Sequence, residues 1–107
     1  MPVPPAADVI LKRFRAGLDA LYGDRIERVV LFGSRARGDA REDSDYDVAV
    51  FLNGLADRWQ EVDRIIPLVT DILYEYGAFI HAMPHRAGSY GDRTSLMREI
   101  RCEGVDL

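Results

Sequence analysis

Two short apolar runs joined by a polar, glycine-led segment constrain this chain more than any other feature. Residues 26–32 end in Val29-Val30-Leu31-Phe32, and residues 46–52 carry a second apolar run; between them, residues 33–44 hold two glycines, three arginines and three acids. Apolar, β-branched runs of this length read as buried strands. The polar connection therefore leaves the end of one strand and enters the start of the next, and its side chains collect at one edge of a sheet.

Periodicity supplies the elements around that sheet. In residues 8–22, Ile10, Phe14, Leu18 and Leu21 recur at steps of four, four and three, and Gly23-Asp24 ends the helix. In residues 57–76, Trp59, Val62, Ile66, Val69, Leu73 and Tyr76 step by three and four, the strongest helical pattern of the chain. This helix is expected to cover the sheet, with Pro67 kinking or dividing it and Gly77 terminating it. Trp59, Tyr74 and Tyr76 read as core or interface. Residues 78–83 read as a third strand, 84–91 as a loop, and 92–102, with Leu96, Met97 and Ile100, as a last helix capped by Asp92. The order α-β-(loop or short helix)-β-α-β-α implies an α/β (α+β) fold: a small mixed sheet of three or more strands flanked by helices. With 107 residues and no internal repeat, the whole of 1–107 reads as a single domain, the Pro-rich first five residues excepted from its ordered part.

Charge narrows the partners. Eighteen acids against 14 basic residues give a net charge of −4, which argues against coating nucleic acid by bulk electrostatics, so no direct nucleic-acid binding is expected. Thirteen of the basic residues are arginine, the better donor for bidentate contacts to phosphate or carboxylate. Cys102 is the single cysteine, which excludes an intrachain disulfide and a cysteine-built zinc site. The start of the chain lacks a signal-peptide pattern, and no apolar run approaches the ~20 residues of a membrane span. A cytoplasmic, membrane-free protein is the expectation.

The chemistry concentrates in Leu31-Phe-Gly-Ser-Arg-Ala-Arg-Gly-Asp-Ala-Arg-Glu-Asp-Ser-Asp-Tyr-Asp47, where Gly33-Ser34 is followed, ten residues later, by Asp45-x-Asp47. Side chains two apart on a strand share a face, so Asp45 and Asp47 can converge at the mouth of the second strand. Two such carboxylates repel unless neutralised. Mg²⁺ takes one or two protein carboxylates and fills its remaining positions with water and phosphate oxygens, so this pair suits a metal that arrives with a nucleotide. Gly33 has no Cβ to keep a phosphate from the backbone, and the Ser34 hydroxyl with the amides beside it favours an anion. Arg35 and Arg37 can add charge to the same pocket.

Gly33-Ser34-Arg35-Ala36-Arg37-Gly38, ending in Ser44-Asp45-Tyr46-Asp47, resembles the nucleotidyltransferase superfamily related to DNA polymerase β, and within it the minimal nucleotidyltransferase domains, many of them antitoxins paired with a HEPN-domain toxin. The resemblance implies a polymerase β-like nucleotidyltransferase fold, use of ATP with Mg²⁺, and transfer of AMP to an acceptor hydroxyl with release of pyrophosphate. In the antitoxin systems the acceptor is a tyrosine of the toxin, which is silenced. Carried over, Gly33 and Ser34 would hold the triphosphate, Arg37 would touch phosphate, and Asp45 and Asp47 would ligate the catalytic metal; Ser34, Asp45 and Asp47 form the catalytic set. Polymerase-like members carry a third carboxylate on a later strand. Residues 78–83 of this chain contain no acid, and their one polar residue is His81. Either His81 substitutes as base or ligand, or a partner supplies the missing group, or transfer is slow or absent and the chain works by masking its partner.

Overall fold

The computed structural model describes residues 8–107; the Pro-rich start lies outside them. α1 (Val9–Tyr22) opens on Asp8, whose carboxylate accepts from the Ile10 and Leu11 amides at 2.8 and 3.1 Å, as an N-cap does. β1 (Ile26–Phe32) follows, then the four-residue helix α2 (Ser34–Arg37) and β2 (Tyr46–Leu52). α3 (Arg58–Tyr76) crosses over to β3 (Ile80–Arg86), and α4 (Ser95–Glu103) leads into a two-residue strand, β4 (Val105–Asp106). The sheet order is β3-β2-β1-β4, with β2 and β3 parallel and the other pairs antiparallel. The mixed sheet flanked by helices is the fold class expected from the sequence.

Alternation divides the core. Val29, Leu31, Val48, Val50 and Leu52 face α1 and α3, where Phe14, Leu18, Ile65 and Ile72 close over them. Val30, Phe32, Ala49 and Phe51 face the other way, against Met97 and Ile100 of α4. A Phe14→Ala change would empty a fully buried aromatic site, a loss of about 3–5 kcal/mol by the usual cavity arithmetic.

Several boundaries differ from the sequence reading, each for a tertiary reason. The third strand begins at Ile80 rather than residue 78 and runs on to Arg86, through Pro84. Proline is tolerated because β3 is an edge strand and needs its amide on one side only. The last helix is capped by Thr94, whose hydroxyl accepts from the Met97 amide at 3.1 Å, and not by Asp92. α3 is one continuous helix through Pro67, which sits on its exposed side, where water can satisfy the freed carbonyl. α1 buries Leu11, Phe14, Leu18 and Tyr22, while Leu21 is exposed. Cys102 is exposed. Among the described residues no helix is long and apolar enough to cross a membrane.

His85 at the far end of β3 is buried, stacked on Phe51 at a ring separation of 5.4 Å, and its Nε2 has no hydrogen-bond partner. Burial, with the Arg58 charge as a second cause, lowers its pKa from the ordinary 6.5. The unfolded chain therefore binds a proton below 6.5 that the folded chain refuses, so this contribution is complete above that pH and is lost as pH falls. Urea midpoints measured from neutral pH down to about 5 should fall, and a His85→Phe variant should show a shallower decline.

Candidate active site

Strand order and register assemble the site. Phe32 at the end of β1 pairs with Asp47 near the start of β2, and Asp47 pairs with His81 near the start of β3. Directly paired residues share a face, so Asp47 and His81 lie beside one another on the α4 side of the sheet, at the end where β1 gives way to Gly33. The end of one strand and the beginnings of two others thus meet at a single edge, where the 33–45 connection returns.

Gly33 adopts φ 75° and ψ −158°, a backbone region essentially reserved for glycine. A Cβ built there would lie 2.6 Å from Oδ2 of Asp47. The glycine therefore does two things at once: it turns β1 into α2, and it leaves the space into which the Asp47 carboxylate leans. Ser34 is the first residue of α2, half-buried beside it. Gly38 ends α2 in the left-handed region at φ 86°.

The arginines part company. Arg35 donates to the Ser44 carbonyl at 2.8 Å and the Glu42 carbonyl at 3.0 Å, and its guanidinium lies 4.4 Å over the Tyr46 ring. It pins the return loop and is committed to structure, a correction to its expected place in the phosphate pocket. Arg37 is exposed, with Nε on Asp39 at 3.2 Å and Nη1 on both carboxylate oxygens of Glu103 at 3.0 Å. Those two acids, Asp39 foremost, push its guanidinium further above its already high range.

Asp45 is exposed on the residue before β2, two positions from Asp47. The side chain of Asp47 is 36% exposed, and its Oδ1 lies 3.6 Å from Nδ1 of His81, which is itself exposed. Among the described residues no group of three or more His, Cys, Asp or Glu forms a metal-holding cluster. The Asp47 carboxylate beside Gly33, with Asp45 two residues before it in the chain, is a hard oxygen donor set of the kind Mg²⁺ takes, since that ion keeps water and phosphate in its other positions and needs no all-protein cage.

Two features escaped the sequence reading. Glu103, from the end of α4, accepts from the Gly33 amide at 3.2 Å as well as from Arg37. The second is the direction of α3. Its buried face is Glu61, Ile65, Leu68 and Ile72, whereas the apolar series expected to cover the sheet lies largely in solvent, with Trp59 75%, Ile66 51% and Leu73 42% exposed. Val62, Ile66 and Val69 with Phe79, Ile80 and His81 line a groove of about 200 Å³ between α3 and the β3 edge. The stripe was visible as periodicity, but periodicity cannot say whether the surface it meets belongs to the same chain.

Comparison with known proteins identifies the family and the fold. The profile of the family described as "Nucleotidyltransferase domain" matches residues 11–85. A protein of Methanocaldococcus jannaschii provisionally named a protein adenylyltransferase is 30% identical over 98 residues, covering 92% of this chain and 95% of the relative. A chain from a toxin–antitoxin complex solved with AMP-PNP superposes with a TM-score of 0.60 at 18% identity, covering 89% of this chain and 70% of that one. A chain from the complex of a tri-AMPylated Shewanella oneidensis HEPN toxin with its MNT antitoxin superposes with a TM-score of 0.52 at 16% identity, covering 92% and 71%. These two likenesses establish a shared fold.

Proposed function

The chain belongs to the nucleotidyltransferase domain family, and from that premise we propose that it transfers AMP from ATP to a hydroxyl on a protein partner, a tyrosine of a HEPN-type toxin, releasing pyrophosphate and thereby acting as the antitoxin. The observation that carries the reading is the juxtaposition of Gly33 and Asp47: the glycine that opens the proposed phosphate loop lies against a carboxylate that can hold the metal of a phosphate. The relatives named as adenylyltransferases and the AMP-bearing toxin complex with the same fold support the choice of nucleotide and of partner class.

In the reaction the acceptor oxygen bonds to the α-phosphorus as the bond to the α–β bridging oxygen breaks, and that oxygen leaves with pyrophosphate. Gly33, Ser34 and Arg37 would hold the phosphates in line for this displacement. Asp45 and Asp47 would hold Mg²⁺, which when bound offsets the phosphates' negative charge. The proton of the acceptor hydroxyl needs a base on this side of the sheet. His81 stands there, on the later strand β3 and 3.6 Å from Asp47. Replacing His81 with alanine should lower the transfer rate about 10²-fold and leave the melting temperature nearly unchanged, since the side chain is exposed.

A second reading draws on the α3 stripe. An exposed apolar series along a 19-residue helix, continued by Phe79, marks a surface that a partner covers; a chain that only masked its partner would need that surface and no chemistry. Incubation with α-labelled ATP, Mg²⁺ and the product of the neighbouring gene separates the two. Label on the partner, absent with Asp45→Asn/Asp47→Asn, supports transfer. A partner still blocked by that double variant, without label, supports masking. An Ile66→Asp change, on an exposed position, should weaken partner binding at least tenfold with little effect on the melting temperature; unchanged binding would remove α3 from the interface.

A further inference from the structure

Glu103 is held where an anion of the nucleotide is expected. The register of the small outer strand explains how it gets there. Leu31 pairs with Val105 and Val30 with Asp106, so the same antiparallel count sets residue 103 across from Gly33. Gly104 makes the approach feasible, because a Cβ on it would collide with the Ile100 carbonyl and with Val30. The last residue of α4 is thereby delivered to the phosphate end of the site by the sheet itself.

Its contacts are those of a phosphate. One oxygen accepts from the Gly33 amide at 3.2 Å, and both oxygens accept from Arg37 Nη1 at 3.0 Å. A carboxylate and a phosphate oxygen compete for the same donors, a backbone amide and a guanidinium. Nothing in α4 favours an acid at this position, since the C-terminal end of a helix carries partial negative charge and repels a carboxylate. What holds Glu103 is the pair of groups assigned to the nucleotide.

We propose that Glu103 occupies the phosphate position of the nucleotide-free protein and that a triphosphate must displace it to reach Gly33 and Arg37, so that Glu103 sets the nucleotide affinity of this site. The inference rests on the transferase reading of Gly33 and Arg37. It links nucleotide binding to the α4–β4 end of the chain: each time the site fills, Glu103 has to leave its three contacts.

Calorimetric titration of the full chain with a Mg²⁺-bound ATP analogue whose α–β bridge cannot be cleaved tests it, alongside Glu103→Gln and Glu103→Ala. Both variants should bind the analogue about tenfold more tightly than the unaltered protein, and pyrophosphate should compete more effectively against them. The second variant guards against a glutamine that still bonds Arg37, and melting curves confirm that both are folded. If the unaltered protein binds and the variants bind equally or more weakly, Glu103 supports the loop and the inference fails while the transferase reading stands. If none of the three binds, both fail.

Discussion

Asp47→Asn is expected to reduce nucleotide transfer by roughly 10²–10³-fold, the effect of removing about 3–4 kcal/mol of charge stabilisation from the phosphoryl centre. Asp47 is the one proposed metal ligand that the sheet holds firmly, on β2, between Phe32 of β1 and His81 of β3, and its carboxylate fills the space that Gly33 leaves open. An amide is nearly the same shape, so the strands are undisturbed. The side chain is 36% exposed and makes no hydrogen bond that the core depends on, so the melting temperature should change little. Rate loss with a retained fold is what separates a ligand of the reacting centre from a structural acid. Transfer at the unaltered rate would remove Asp47 from the chemistry.

The second large effect is expected from Gly33→Ala. The substitution places a methyl group 2.6 Å from Asp47 Oδ2 and asks an alanine to adopt φ 75°. The strain alone should cost about 1–3 kcal/mol, measurable as a lowered urea midpoint. Transfer should fall to the level of Asp47→Asn, because the carboxylate is pushed aside and the approach to the backbone is closed. Gly38→Ala is the matching control. It too has positive φ, 86°, yet its Cβ would meet nothing within 4 Å, so it should lose stability and keep transfer. Equal activity loss at both glycines would mean that the turn matters and the cradle does not.

How far the sequence foretold this site depends on how local each feature is. β1 and β2 have the limits read from composition alone, and Gly33, Ser34, Asp45 and Asp47 fall at their meeting edge, because a polar segment between two buried strands has nowhere else to emerge. The features missed are those decided by distant residues. β4 is two residues long and exists only through its pairing with Val30 and Leu31, so no periodicity announces it, and with it goes the placement of Glu103. The committed state of Arg35 is set by the Glu42 and Ser44 carbonyls and by Tyr46, a loop geometry that spacing does not encode. α3 carries apolar residues around more than half its circumference, so the pattern of Trp59, Ile66 and Leu73 identified a real stripe and assigned it to the wrong neighbour. The narrower set Ile65, Leu68 and Ile72 does the work against the sheet.

The exposed stripe and the open end of the sheet meet at Phe79 and His81. A protein seated along α3 would therefore reach the nucleotide's α-phosphate from the β3 edge, on the side of His81. A protein acceptor brings its own surface, so the proposed reaction asks no further wall of this domain. A partner seated there would also complete the site, by excluding water and by presenting the hydroxyl.

The most direct test of the central claim is the intact mass of the neighbouring gene's product after incubation with this chain, ATP and Mg²⁺, with the modified residue located by fragmentation. The expected result is a gain of one or more AMP units on tyrosine, abolished by Asp45→Asn/Asp47→Asn. An unmodified partner, bound and inhibited equally by the unaltered chain and by that double variant, would contradict it.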